Sequence, residues 1–242
     1  MSGIDVIEEV LSKAHPVEQA PKMESRVIAF GHRARSGKDT AAATIIEARR
    51  QFTVVKRYSF ADALKREITC AALSAGGMRN LFVPDYYFMD ERQNFVQLPS
   101  WVQFDENAPM DDPGCPLGKQ RTLLQWWGTE FRRKYNPNYW VEQVEKTIAK
   151  EKPQVALITD LRFPNELAWV QLHGFAVRVD RKDLPAFTTD THESERALAN
   201  IAPGIWDLII ENDGTLEEFK EKVLQGFDYL METDFPFGYG LV

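Results

Sequence analysis

The chain has 242 residues, enough for one large domain with an insertion or for two small ones. Its 44% hydrophobic and 27% charged residues are those of an ordinary soluble globular protein, and no apolar run approaches the roughly 20 residues of a membrane span. A formal net charge of -7 argues against broad DNA or RNA binding, which takes an excess of Lys and Arg on one face, and Cys70 and Cys115 lack metal-type spacing and read as reduced thiols of a cytoplasmic protein.

In chain order, residues 1–24 read as an extension: a short amphipathic helix over residues 4–11, then a Pro-containing linker, with no secretory or transit character. Residues 26–30 are an apolar run suited to a buried strand. It breaks at Gly31 into a loop of small and basic residues that includes Arg35 and ends in Ser36, Gly37, Lys38, Asp39 and Thr40, and a helix follows over residues 38–50. Strand, loop, Gly-Lys and helix in that order make a phosphate cradle, in which backbone N–H groups and a helix N-terminus point at an anion and Lys38 adds a full charge. The pattern G-x-x-x-x-G-K-[ST] is met with two departures. Gly31 lies one residue too far from Gly37, leaving His32 in the first-glycine slot, which a loop one residue longer would absorb. Asp39 stands where a magnesium-binding hydroxyl is usual, and Thr40 comes one position later. The plain alternative is an ordinary strand-to-helix turn with a solvated lysine.

A second strand is expected over residues 52–60 and a helix over 61–75. Asp62 is either a cap of that helix or, just past a strand end, a residue facing a nucleotide. Lys65, one turn on, faces either that pocket or solvent. Residues 76–118, rich in Pro and Gly with aromatics at Tyr86, Tyr87 and Phe88, read as an inserted segment covering a substrate pocket, or else as a surface excursion. Residues 119–135 are helical apart from Gly128, with Leu123, Leu124 and Trp127 on one face and Arg121, Gln125, Glu130, Arg132 and Arg133 polar. Gln125 carries a carboxamide that can pair with a base edge, and arginine can grip phosphate with two parallel hydrogen bonds. An amphipathic helix follows over residues 139–150, with Trp140 in the core.

Residues 154–160 form a third strand ending in Asp160, as in a Walker B element, and Arg162 stands at the mouth of the same crevice. Residues 175–180 are a fourth strand. Arg178, Arg181 and the polar stretch to residue 196 suit a lid closing over phosphates, with a solvated loop as the alternative and His192 as a structural hydrogen-bonder. A last strand over residues 206–211, an Asn212-Asp213-Gly214 turn and a capping box at Thr215 and Glu218 lead into the final helix. The aromatic tail packs on the body or on a second subunit, so a homodimer is one expectation.

Together GHRARSGKDT, SFADALK, RTLLQWWGTEFRR with NYW, ITDLRFPNE, and HESE before NDGTLEEF resemble the deoxynucleoside monophosphate kinases of tailed bacteriophages, over about residues 26–230. The resemblance implies an α/β, P-loop NTPase three-layer fold with a mainly parallel sheet, a helical substrate-binding insertion (residues 76–118) and a lid (about 181–196) within a kinase domain of residues 25–242. It implies transfer of the γ-phosphoryl group of ATP to a dNMP with Mg²⁺, in the cytoplasm, that of the host cell if the chain is phage-encoded; the charge and the apolar runs set out above point to no direct nucleic-acid binding and no membrane partner. In that family GKDT replaces GK[ST].

On this basis Lys38, Arg132, Arg162 and Asp160 are the expected catalytic residues. Arg35, Ser36, Gly37, Lys38, Asp39, Thr40, Arg178 and Arg181 are expected to hold ATP. Asp62, Lys65, Arg121, Gln125, Trp127, Glu130 and Arg132 are expected to hold the acceptor, and Asp39, Thr40 and Asp160 the metal. The alternatives are another P-loop small-molecule kinase, acting on a coenzyme precursor or a phosphorylated alcohol, and a non-catalytic ATP-binding regulatory module.

Overall fold

The computed structural model describes residues 24–110, 118–185 and 196–233. The extension, Cys115, and the segment with His192 fall outside the described residues. The chain divides into two compact units, one of residues 1–59 and 146–242, the other Phe60–Glu145.

The first unit is built on five parallel strands: β1 (Arg26–Gly31), β2 (Val55–Tyr58), β5 (Val155–Leu161), β6 (Gly174–Asp180) and β7 (Leu208–Glu211), in the order β2-β5-β1-β6-β7. The inner strands β1, β5 and β6 are buried on both faces, which is why their sequences run apolar without alternation. Ile28 and Phe30 point to one face, where α1 (Lys38–Arg49) and α6 (Leu216–Glu232) cover them with Ala41, Ala42, Ile45, Phe219, Val223 and Phe227. The opposite face takes α5 (Pro164–His173), completing three layers. From β1 the chain runs out to β2, returns through β5, then crosses to β6 on the other side of β1. That reversal puts a topological switch point, the usual ligand crevice of an open parallel sheet, at the carboxyl end of β1. The α/β fold with a mainly parallel sheet is as the sequence implied.

The second unit holds α2 (Phe60–Ser74), a 3₁₀ turn Met78–Phe82, the antiparallel hairpin β3 (Tyr87–Met89) and β4 (Phe95–Gln97), and α3 (Arg121–Gln125). Beyond α3 the helix continues as a π-helix, Trp126–Arg133. Its core is aromatic: the Phe88 ring lies 4.5 Å from that of Trp127, and Trp126 stacks on Phe131 at 5.0 Å. The helix α4 (Tyr139–Glu151) leads out of it.

Two elements depart from the sequence pattern. The second strand is four residues rather than nine, because Phe52, in a turn, and Val54 are 78% and 55% exposed and give a strand nothing to bury. The helix expected over residues 119–135 starts at Arg121 and passes through Gly128 without breaking, there adopting the wider π-form.

Candidate active site: a phosphate cradle at the end of β1

Gly31 belongs to β1, pairing with Leu161 on one side and Arg178 on the other. A Cβ there would lie 2.6 Å from the Trp206 ring, so this glycine serves packing. The loop therefore runs from His32 to Gly37 and has the usual length after all. His32 takes the first-glycine slot and adopts the positive φ of 84° that normally calls for glycine there. Its Nδ1 lies 2.8 Å from Asp180 Oδ1 at the end of β6. Burial, then the neighbouring Arg178, lowers the imidazole pKa from its ordinary value against the pull of Asp180.

Arg35 and Gly37 also have positive φ, of 62° and 114°, and the alternating backbone turns successive N–H groups into one concavity. Gly37 is the N-cap of α1 and accepts from Ala41, so the N–H groups of Lys38, Asp39 and Thr40 have no acceptor inside the helix. Asn212 Nδ2 donates to the Ser36 carbonyl at 2.7 Å. Because C=O and N–H of a trans peptide point oppositely, anchoring that oxygen outward turns the Gly37 N–H inward. A Cβ on Gly37 would stand 2.6 Å from the same Asn212 nitrogen.

Lys38 is 7% exposed. Its Nζ donates to the Arg33 carbonyl and, at 3.3 Å, to Ser36 Oγ. Burial, then the nearby Arg162, bring its pKa from 10.5 to about 8, opposed by Asp39 and Asp160. Lys38, Arg162, Asp160 and Asp39 thus share one electrostatic neighbourhood. Asp160 sits where β5 bulges against β1, between the Ala29–Ile158 and Gly31–Leu161 pairs. Its Oδ2 accepts from the buried Ser59 hydroxyl at 2.7 Å, which fixes the carboxylate at the strand end. The Asp39 side chain is 82% exposed and lies 3.7 Å from Arg57. Arg162 is placed by its backbone: Glu166, itself 1% exposed, accepts from the N–H groups of Arg162 and Phe163 at 2.7 and 3.0 Å.

From the cradle an open cavity of about 400 Å³ runs along Arg35, Gly37 to Thr40, Arg181, Asn212, Gly214, Leu216 and Phe219. Arg181 lines it. Arg178 does not: its Nε donates to Asp180 at 2.7 Å. Arg33 donates to the carbonyls of Leu184 (3.4 Å) and Pro185, so the cradle is fastened to the root of the segment expected to be a lid.

In the second unit, Asp62 lies in the first turn of α2, with the half-buried Lys65 one turn later. Arg121 opens α3, Gln125 closes it, and Glu130 is exposed on the π-helix. Trp127 is 2% exposed and its Nε1 donates to Glu67 at 2.7 Å, so it serves as core as well as a candidate contact. Arg132 is held by the same Glu67.

Residues 119–223 match the family model of deoxynucleotide monophosphate kinase. Over 47 residues the chain is 49% identical to the deoxynucleoside-5'-monophosphate kinase of Escherichia phage T5, a stretch covering 19% of this chain and 19% of the phage protein. Both findings agree with the resemblance carried by the sequence motifs. The loop between β1 and α1 lies outside the family match, so its reading rests on its own geometry.

Sequence reasoning missed Asn212, taken only as a turn residue. The signal was there: it directly follows the carboxyl end of a strand, the position that singled out Asp160. Glu67 had no such signal, since only the tertiary fold brings its partners together.

Proposed function

We propose that the protein is a deoxynucleoside monophosphate kinase, transferring the γ-phosphoryl group of ATP to a dNMP to give dNDP and ADP. The observation that carries this is the cradle: a helix N-terminus, a nest of loop N–H groups and a buried ammonium converge at the switch point of a parallel sheet, in a chain whose later part matches this kinase family. Phosphoryl transfer asks little covalent chemistry of the protein. It asks for positioning and for positive charge where negative charge spreads.

Lys38 and the loop N–H groups hold the β- and γ-phosphates, exchanging the Arg33 carbonyl for a phosphate oxygen. Arg162, whose charge helps lower the Lys38 pKa, would face the transferring group. The donor's base and ribose lie along Arg181, Asn212 and Phe219, where the cavity extends. Thr40 and Asp160 would hold a magnesium ion, since a hydroxyl and a carboxylate are the hard oxygen donors that ion takes. When bound, that ion would neutralise part of the phosphate charge that builds up during transfer. The acceptor falls to Arg121, Gln125 and Arg132 of the second unit, with Asp62, Lys65 and Glu130 as further contacts.

The test is ADP release from MgATP against a panel of dNMPs, ribonucleotides and phosphorylated alcohols. Preference for a dNMP is expected, and Lys38→Ala should lower kcat by roughly 10²–10³. Preference for a non-nucleotide acceptor, or ATP binding with no turnover, overturns the assignment.

A further inference from the structure

The π-helix Trp126–Arg133 has a structural cause. Oε1 of Glu67 accepts from Trp127 Nε1 at 2.7 Å and from Arg132 Nε and Nη2 at 2.7 and 2.6 Å, and Oε2 accepts from the Tyr139 hydroxyl at 2.8 Å. Trp127 and Arg132 are five residues apart. On an α-helix such a pair is about 140° apart around the axis, whereas the i to i+5 repeat of a π-helix brings them onto one face. One carboxylate oxygen can therefore collect both only if the helix is widened. Trp140 supports the same form by donating its indole N–H to the Gly128 carbonyl at 2.9 Å. The Arg132 guanidinium is fixed further by the Phe131 and Tyr139 rings, 4.8 and 5.0 Å from its carbon.

The clamp leaves one edge of Arg132 for a ligand. Nε and Nη2 are spent on Glu67. Nη1 has Glu91, a 41% exposed carboxylate at the hairpin, at a loose 3.4 Å. A carboxylate held that weakly against a fixed guanidinium occupies the place of a phosphate oxygen, and a phosphate dianion outcompetes it in charge and geometry.

We propose that Glu67 is the positioning residue of the acceptor-phosphate site: by locking the π-helix it presents the Nη1 edge of Arg132, and Glu91 covers that edge until the dNMP phosphate displaces it. This rests on the kinase reading, and it predicts opposite effects for the two carboxylates. Glu67→Gln removes the charge and one strong acceptor, releases Arg132, and weakens dNMP binding by roughly tenfold to a hundredfold. Glu91→Gln removes a competitor and tightens dNMP binding by roughly twofold to fivefold, the range of an exposed ion pair.

The experiment is calorimetric titration of dNMP and of MgATP into wild type, E67Q and E91Q, alongside steady-state KM and kcat for each. The expected result is a dNMP dissociation constant ordered E91Q, wild type, E67Q from tightest to weakest, with MgATP affinity unchanged in both variants. Equal weakening of MgATP and dNMP in E67Q shows a general structural role and overturns the proposal, as does unchanged or weaker dNMP binding in E91Q. E91Q alters only a partly exposed side chain, so it decides the matter even if E67Q fails to fold. The ordered binding series in a protein that turns over no dNMP overturns the kinase reading and leaves the clamp standing. Turnover with unaltered dNMP affinities does the reverse.

Discussion

The lowered pKa of Lys38 makes nucleotide affinity depend on pH in a window where few other groups titrate. In the free protein the ammonium has a pKa of about 8 because it is buried beside Arg162. A bound polyphosphate supplies the missing counter-charge and raises that pKa, so binding takes up a proton above pH 8. MgATP affinity should then fall with pH: at pH 9 only about a tenth of the free protein carries the proton, a loss of about tenfold or 1.4 kcal/mol relative to pH 7. The terminal phosphate has already lost its second proton by then. The same shift has a sign in stability. The unfolded lysine, with its ordinary pKa of 10.5, binds more protons than the folded one between about pH 8 and 10.5, so this group's contribution to stability rises across that window, by about 3 kcal/mol in all. Below pH 8 the full cost of the buried charge is present. Calorimetry with MgATP from pH 7 to 9.5, on wild type and Lys38→Met, isolates the effect. A wild-type affinity that is flat to pH 9, or a Lys38→Met variant with the same slope, would refute the reasoning.

Other consequences follow from single contacts around the cradle. His32→Gly restores the usual residue at a positive φ, relieving about 1–2 kcal/mol of backbone cost while losing the contact with Asp180, so melting should shift little and MgATP binding persist; abolished binding would give the imidazole a direct role. Asn212→Ala removes the brace on the Ser36 carbonyl and should raise the ATP KM by roughly fivefold to tenfold, with the dNMP KM unmoved, as initial-rate kinetics can check. Gly31→Ala drives a methyl into the Trp206 ring and should cost about 1–3 kcal/mol in chemical denaturation; an unchanged midpoint would mean that the ring moves freely. Asp160→Asn keeps a partner for Ser59 but weakens the metal site, so a higher Mg²⁺ requirement should accompany unchanged stability.

What was legible in the sequence was what depends on neighbours along the chain. The apolar runs of β1, β5 and β6 predicted strands, that of β1 a buried one, because strands covered on both faces run apolar without alternation. Gly37 and Lys38 announced a cradle because the loop is a local device. What escaped was tertiary. The count of residues from Gly31 suggested a longer loop, yet Gly31 is glycine on account of Trp206, which is remote in sequence, and His32 takes the strained slot beside Asp180. The π-helix was invisible for the same reason: nothing in residues 126–133 demands it, and the demand comes from Glu67 on another helix and Trp140 beyond the turn. Arg178 stood near Arg181 in the sequence but is turned to Asp180, whereas Arg181 lines the cavity.

Two independent lines meet in the functional reading, and their independence matters more than the strength of either. The family match begins at residue 119, so it says nothing of the cradle, which lies wholly before it. The cradle in turn says nothing of the acceptor: a nest, a helix N-terminus and a lysine bind phosphate in any P-loop protein. What links them is β5, inside the matched region yet paired with β1, since its bulge sets Asp160 into the electrostatic field of Lys38. The buried serine that holds Asp160 and the buried ammonium of Lys38 therefore lie in one place, at the carboxyl ends of adjacent strands. Burying the ammonium is the unfavourable part, and a bound phosphate would supply the counter-charge that offsets it.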